Sequence, residues 1–73
     1  MIIRKIAVGP DYKSAMHFVV GQDVANSRFV IDTIVHNSDT GSFEVWVKDT
    51  DGLRKWKEFN DNTPVHIEYN TNY

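Results

Sequence analysis

The chain has 73 residues, no cysteine and a formal net charge of −2. That length makes one domain with a small core, and without cysteine neither disulfides nor thiolate metal sites can staple it. The charge balance excludes a global basic field for nucleic acid, and no apolar run approaches the roughly 20 residues that span a bilayer.

Period-two alternation recurs and helical periodicity is scarce. Ile2–Val8 reads as a strand with Ile2, Ile6 and Val8 on one face, Lys5 opposite and Arg4 intruding. The stretch MIIRKIAVG is too short an apolar run for a signal peptide, so a soluble cytoplasmic protein is expected. Gly9-Pro10-Asp11 breaks the strand, because proline cannot continue a ladder, and Tyr12–Ala15 follows as loop. Met16–Val20 is a short apolar strand ending at Gly21, and polar Gln22–Arg28 is a connection with Val24 tucked beneath it. Phe29–His36 carries Phe29, Ile31, Thr33 and Val35 on one face and Val30, Asp32, Ile34 and His36 on the other. Both faces are largely apolar, which places this strand centrally in a sheet or bends it between two packing layers.

Asn37–Gly41 is a turn of short polar residues closed by glycine. Ser42–Lys48 alternates cleanly, with Phe43, Val45 and Val47 against Glu44, Trp46 and Lys48. Asp51-Gly52 is a hairpin signal. Leu53–Phe59 should return as a strand, although Leu53, Trp56 and Phe59 are also spaced for one or two helical turns. After a turn at Asn60–Pro64, Val65–Tyr69 closes the fold with Val65, Ile67 and Tyr69 inward, and Asn70–Tyr73 is expected to fray. Residues 1–73 thus read as a single all-β domain: five or six short strands in an SH3-like or OB-like small barrel or orthogonal sandwich, with room for one short helical turn.

The hairpin holds the candidate binding surface. A two-residue loop at Asp51-Gly52 sets Val47 against Trp56 on the core side and Trp46 against Lys57 on the outer side. Lys48 then opposes Lys55, a mild like-charge penalty. A four-residue loop keeps those faces, whereas a three-residue loop flips them and brings Trp46 beside Trp56. In the first two registers Trp46 stands among Lys48, Lys55 and Lys57, with Leu53 and Phe59 nearby. A flat indole among cations can grip a partner protein or stack bases. The blander alternative is a half-buried tryptophan among solvated lysines, with Asp49, Asp51 and Glu58 offsetting their charge.

Other signals reduce to structure. Asp39-Thr40-Gly41 matches the aspartic-protease triplet, but that chemistry needs two carboxylates sharing a proton, and the triplet lies in a turn. Asp49-Thr50-Asp51-Gly52 lacks the downstream ligand spacing of a calcium loop. His17, His36 and His66 are scattered with no zinc-ligand spacing, and there is no nucleophile elbow, P-loop or dinucleotide glycine pattern. Asp32, on an apolar strand, is a candidate for a perturbed carboxylate. No catalytic residue, metal or cofactor is expected. Unpaired edge strands offer a second candidate interface, for strand addition or homodimer pairing.

The succession HFVVGQDV, RFVIDTIV, FEVWVKDTDG and PVHIEYN, with Trp56-Lys57 and the Pro64–Tyr69 ending, resembles small SH3-like barrel proteins encoded by tailed bacteriophages. The resemblance spans Ile2–Tyr69 and implies a barrel, a role on host machinery in the host cytoplasm, and no catalytic residues. It lacks the aromatic motif of peptide-binding SH3 domains. The expected function is non-catalytic binding of a protein partner through Trp46, Lys48, Lys55, Lys57 and Phe59 or through an edge strand. The alternative is single-stranded nucleic acid or RNA on the same basic-aromatic surface.

Overall fold

The computed structural model describes residues 2–24, 26–60 and 62–70. Its strands are β1 (Ile2–Val8), β2 (Met16–Val19), β3 (Val30–Asn37), β4 (Ser42–Asp49), β5 (Gly52–Phe59) and β6 (Val65–Asn70). No helix occurs among the described residues, and Leu53–Phe59 is extended throughout. The expected fraying at Asn70–Tyr73 falls, beyond Asn70, outside the described residues.

The strands form two antiparallel three-stranded sheets, β2-β1-β6 and β3-β4-β5. The all-β expectation holds, but among the described residues no ladder joins the sheets into a closed barrel. Their link is narrower. The Gly21 amide donates to the Ile31 carbonyl (2.7 Å) and the Ile31 amide to the Gln22 carbonyl (2.9 Å), so the segment leaving β2 folds against the start of β3.

The core lies between the sheets. It joins Ile3, Ile6 and Val8 of β1, Phe18 of β2, Ile31 and Ile34 of β3, and Phe43, Val45 and Val47 of β4. Strand β4 is the centre of its sheet, and its clean alternation survives folding: Phe43, Val45 and Val47 are all buried. Strand β3 is therefore at the edge of its sheet, so of the two readings of its apolar faces the central placement fails and the bend remains.

The reason is a β-bulge, and it recurs on two other strands. On β3, Ile31 pairs with Val47 and Thr33 with Trp46, which leaves Asp32 unopposed. One extra residue shifts the side-chain period, so Ile31 and Ile34 both point inward. On β1, Ile3 pairs with Tyr69 and Lys5 with Glu68, leaving Arg4 unopposed. Ile3, not Ile2, therefore shares the core face with Ile6, and Ile2 is 70% exposed. On β5, Val45 pairs with Lys57 and Trp46 with Lys55, leaving Trp56 unopposed. Arg4 and Asp32 are charged residues inside apolar runs, and a bulge takes each out of the core row without surrendering the strand.

The turns follow local side-chain chemistry. Asn37, Asp49 and Asn60 each accept, on the side-chain oxygen, the amide two residues on, at 2.8–3.1 Å. The Asp39-Thr40-Gly41 triplet is part of the β3–β4 turn, where Gly41 takes φ 74° and donates its amide to the Asn37 carbonyl. In the β4–β5 hairpin Asp49 faces Gly52 across Thr50-Asp51.

Candidate functional site

The hairpin register decides which side chains meet. Near the turn it is the register of the four-residue-loop reading: Lys48 opposes Leu53, Val47 opposes Arg54 and Trp46 opposes Lys55. The expected Lys48–Lys55 clash does not arise. Beyond Trp56 the pairing shifts by one residue, to Val45–Lys57, Glu44–Glu58 and Phe43–Phe59. The strand therefore carries two registers, and the candidate residues part company at the bulge.

Trp46, Lys48 and Lys55 lie on the outer face of the β3-β4-β5 sheet. Trp46 stands between Thr33 and Lys55, half-buried, with its Nε1 donating to Glu44 Oε1 at 3.0 Å. Lys55 Nζ donates to Glu58 Oε1 at 3.1 Å. In a regular strand residues i and i+3 point to opposite faces, and here the bulge at Trp56 restores them to one. Ser42 Oγ donates to the other carboxylate oxygen at 3.0 Å. The Lys55 ammonium, and after it the Ser42 hydroxyl, hold the Glu58 carboxyl below the ordinary glutamate value. This face thus sets an indole among two lysines and two glutamates, with Lys55 paired to Glu58 and Lys48 in no ion pair among the described residues.

Lys57 and Phe59 belong to the inner side, along the free edge of β5. The Lys57 ammonium lies 5.1 Å from the centre of the Trp56 ring. Trp56 meets the buried Phe18 edge-on at 5.8 Å, and Phe59 packs against Phe18 at 5.4 Å. Further along, the Arg54 guanidinium sits 4.3 Å from the centre of the Phe29 ring. Val24, Ser27, Phe29, Val47, Arg54 and Trp56 line a cleft of about 180 Å³ between these groups. Trp56 is 40% exposed, and every residue from Gly52 to Glu58 is exposed.

Sequence reasoning missed Phe29 and Arg54 as members of this rim. Nothing local signals their pairing: it depends on the turn before β3 folding back beside β5. Lys55 and Lys57 were legible as cations, but beside Trp46; Trp56 was expected on the core side against Val47, whereas Val47 opposes Arg54 and the bulge leaves Trp56 partly exposed.

The histidines do not converge. His36 stacks on Phe43 at 4.5 Å in one sheet, while His17 and His66 flank Ala7 in the other. Tyr12 meets both of these histidines, edge-on to His17 at 5.0 Å and to His66 at 5.8 Å, with its hydroxyl accepting from Lys5 Nζ at 3.0 Å. Ala7, between the two histidines in the ladder, is fully buried. Asp32 is exposed and accepts from Thr33 Oγ1 at 2.7 Å. Among the described residues no three His, Cys, Asp or Glu side chains are grouped to hold a metal ion, and no helix is long and apolar enough to cross a membrane.

No protein-family model matches this sequence, and no curated protein or solved structure matches it at a significant level.

Proposed function

We propose that the chain is a small non-catalytic binding module that docks a protein partner along β5. One observation carries this reading: β5 is an edge strand, exposed from Gly52 to Glu58, that presents Trp56 and Leu53 together with Arg54 and Lys57. Tryptophan and arginine are the side chains most often found at the energetic centre of protein interfaces. The cations here rest on aromatic rings, and among the described residues Lys48, Arg54 and Lys57 enter no ion pair. They are available to an acidic partner surface. The bulge at Trp56 and the basic side chains oppose strand addition at this edge. The partner therefore engages side chains, with Trp56, Lys57 and Phe59 on the inner rim and Trp46, Lys48 and Lys55 on the outer face.

The alternation of flat rings with cations, Phe29 with Arg54 and Trp56 with Lys57, favours one second reading, single-stranded nucleic acid or RNA. The strand orders β6-β1-β2 and β3-β4-β5, joined through Gly21–Ile31, support a small SH3-like arrangement left open at one seam. The cytoplasm, that of a bacterial host for a phage protein acting on host machinery, is the setting this reading assigns.

The test is retention of a partner from cell extract by wild-type protein beside Trp56→Ala, Lys57→Glu and Trp46→Ala. Loss in the first two variants is expected, with a smaller effect from Trp46→Ala. A partner retained equally by Trp56→Ala and Lys57→Glu overturns the assignment to β5.

A further inference from the structure

We infer that β6 is a homodimerisation strand, which pairs antiparallel with β6 of a second copy about a two-fold axis at Ile67. This concerns the other sheet and does not depend on the partner proposed for β5.

The sheet edges are not equivalent. Strand β2 is four residues long, β3 is partly covered by Gly21–Val24, and β5 is bulged and basic. These are the devices that blunt edge-to-edge association. Strand β6 has none of them. It runs six residues with no bulge of its own and no proline, and among the described residues no strand pairs with its outer side.

Its backbone is set for this pairing. The Gly9 amide donates to the Pro64 carbonyl, so Pro64, His66 and Glu68 direct their backbone groups toward β1. On the other side of β1 the Val20 amide donates to the Arg4 carbonyl, which fixes the same parity independently. Val65, Ile67 and Tyr69 therefore turn their N–H and C=O groups outward. An axis at Ile67 places Ile67 against its own copy and Val65 against Tyr69 of the second copy, each as a pair that exchanges two backbone hydrogen bonds.

The side chains agree with that register. His66 falls opposite Glu68 of the second copy, at the positions where side chains approach most closely. An imidazole thus meets a carboxylate twice across the axis. An axis at Glu68 would set carboxylate against carboxylate, and one at His66 would use fewer residues of β6. On the inner face Ile67 and Tyr69 pair with the buried Ile6 and Ile3, yet they remain 37% and 41% exposed. Pairing extends the row Ile6-Ile67 into Ile67-Ile6 of the second copy. Such an edge contact is small, so association in the range of about 10–100 µM is expected.

Sedimentation equilibrium across roughly 5–500 µM tests this. Wild type is expected to reach twice the monomer mass. Ile67→Pro removes from the backbone only an outward-pointing amide, together with the apolar side chain at the axis, and is expected to remain monomeric, with the β-sheet circular dichroism retained. His66→Glu opposes two carboxylate pairs and should weaken the dimer about tenfold. The exchange His66→Glu with Glu68→His restores opposite partners and should restore association. A monomer at 500 µM overturns the proposal. So does a dimer indifferent to Ile67→Pro, or an exchange variant no better than His66→Glu. Should the proline variant not fold, the exchange series decides alone.

Discussion

Glu58 and Glu68 show how single residues tie this fold to pH. Glu68 is ion-paired with Arg4, the residue that bulges from β1, and Glu58 with Lys55, the residue before the bulge on β5. Hydrogen bonds from Arg4 and from Lys55 are the leading causes that lower the two carboxyls. Because both folded-state values lie below that of the unfolded chain, the stability they confer is fully present above about pH 4.3. It is lost as pH falls through the lower folded-state values, where both states become protonated. Both groups are solvent-exposed, so the contribution is modest and weakened by salt. Urea midpoints at pH 7 and pH 3 should therefore converge in the Glu58→Gln/Glu68→Gln double variant relative to wild type. An unchanged difference between the two pH values would show that other groups govern acid unfolding.

At the scale of elements, bulges decide what alternation can tell. On β4, which has no extra residue, every side chain points where period two sends it. On β1 and β3 the apolar positions are Ile3 with Ile6 and Ile31 with Ile34, an odd spacing that only an extra residue reconciles. The signal was present as Arg4 and Asp32 interrupting apolar runs, but a strand that is apolar on both faces produces the same pattern. The bulge at Trp56 had no such marker, and it separated Lys57 and Phe59 from Trp46, Lys48 and Lys55. The strand boundaries were legible because glycine and short Asx turns punctuate them. The pairing across the core was not, because it depends on how the two sheets approach. A deletion pair tests the role of bulges directly. Removing Asp32 leaves a regular ladder in which Ile31 and Ile34 keep their faces, so the fold should persist with a loss of about 1–2 kcal/mol. Removing Glu44 sets Phe43 beside Val45 and sends one of two buried side chains to solvent, which should unfold the domain. Thermal melts followed by circular dichroism distinguish the outcomes, and comparable damage from both deletions would contradict this account of the bulges.

At the scale of the whole molecule, charge separates the two kinds of partner. Eight basic residues stand against ten acidic ones, so a polyanion meets net repulsion at long range and gains attraction only at the β5 rim. There, Arg54 and Lys57 on the inner side of the strand and Lys48 on the outer face enter no ion pair among the described residues, while Lys55 is held by Glu58. About three phosphates is therefore the most that this surface can neutralise. For a single strand each contributes about −0.7 to the slope of log affinity against log salt, which gives about −2. A protein partner anchored on Trp56 depends mainly on buried apolar area, and its affinity should be nearly flat over the same range of salt. Titrating tryptophan fluorescence with an oligonucleotide between roughly 50 and 300 mM salt reads the slope. A value near −2 that falls toward −1 in Lys57→Glu would favour nucleic acid at this rim. No response at low salt would leave the protein partner as the occupant of β5, and a slope steeper than about −4 would require more cations than the rim contains.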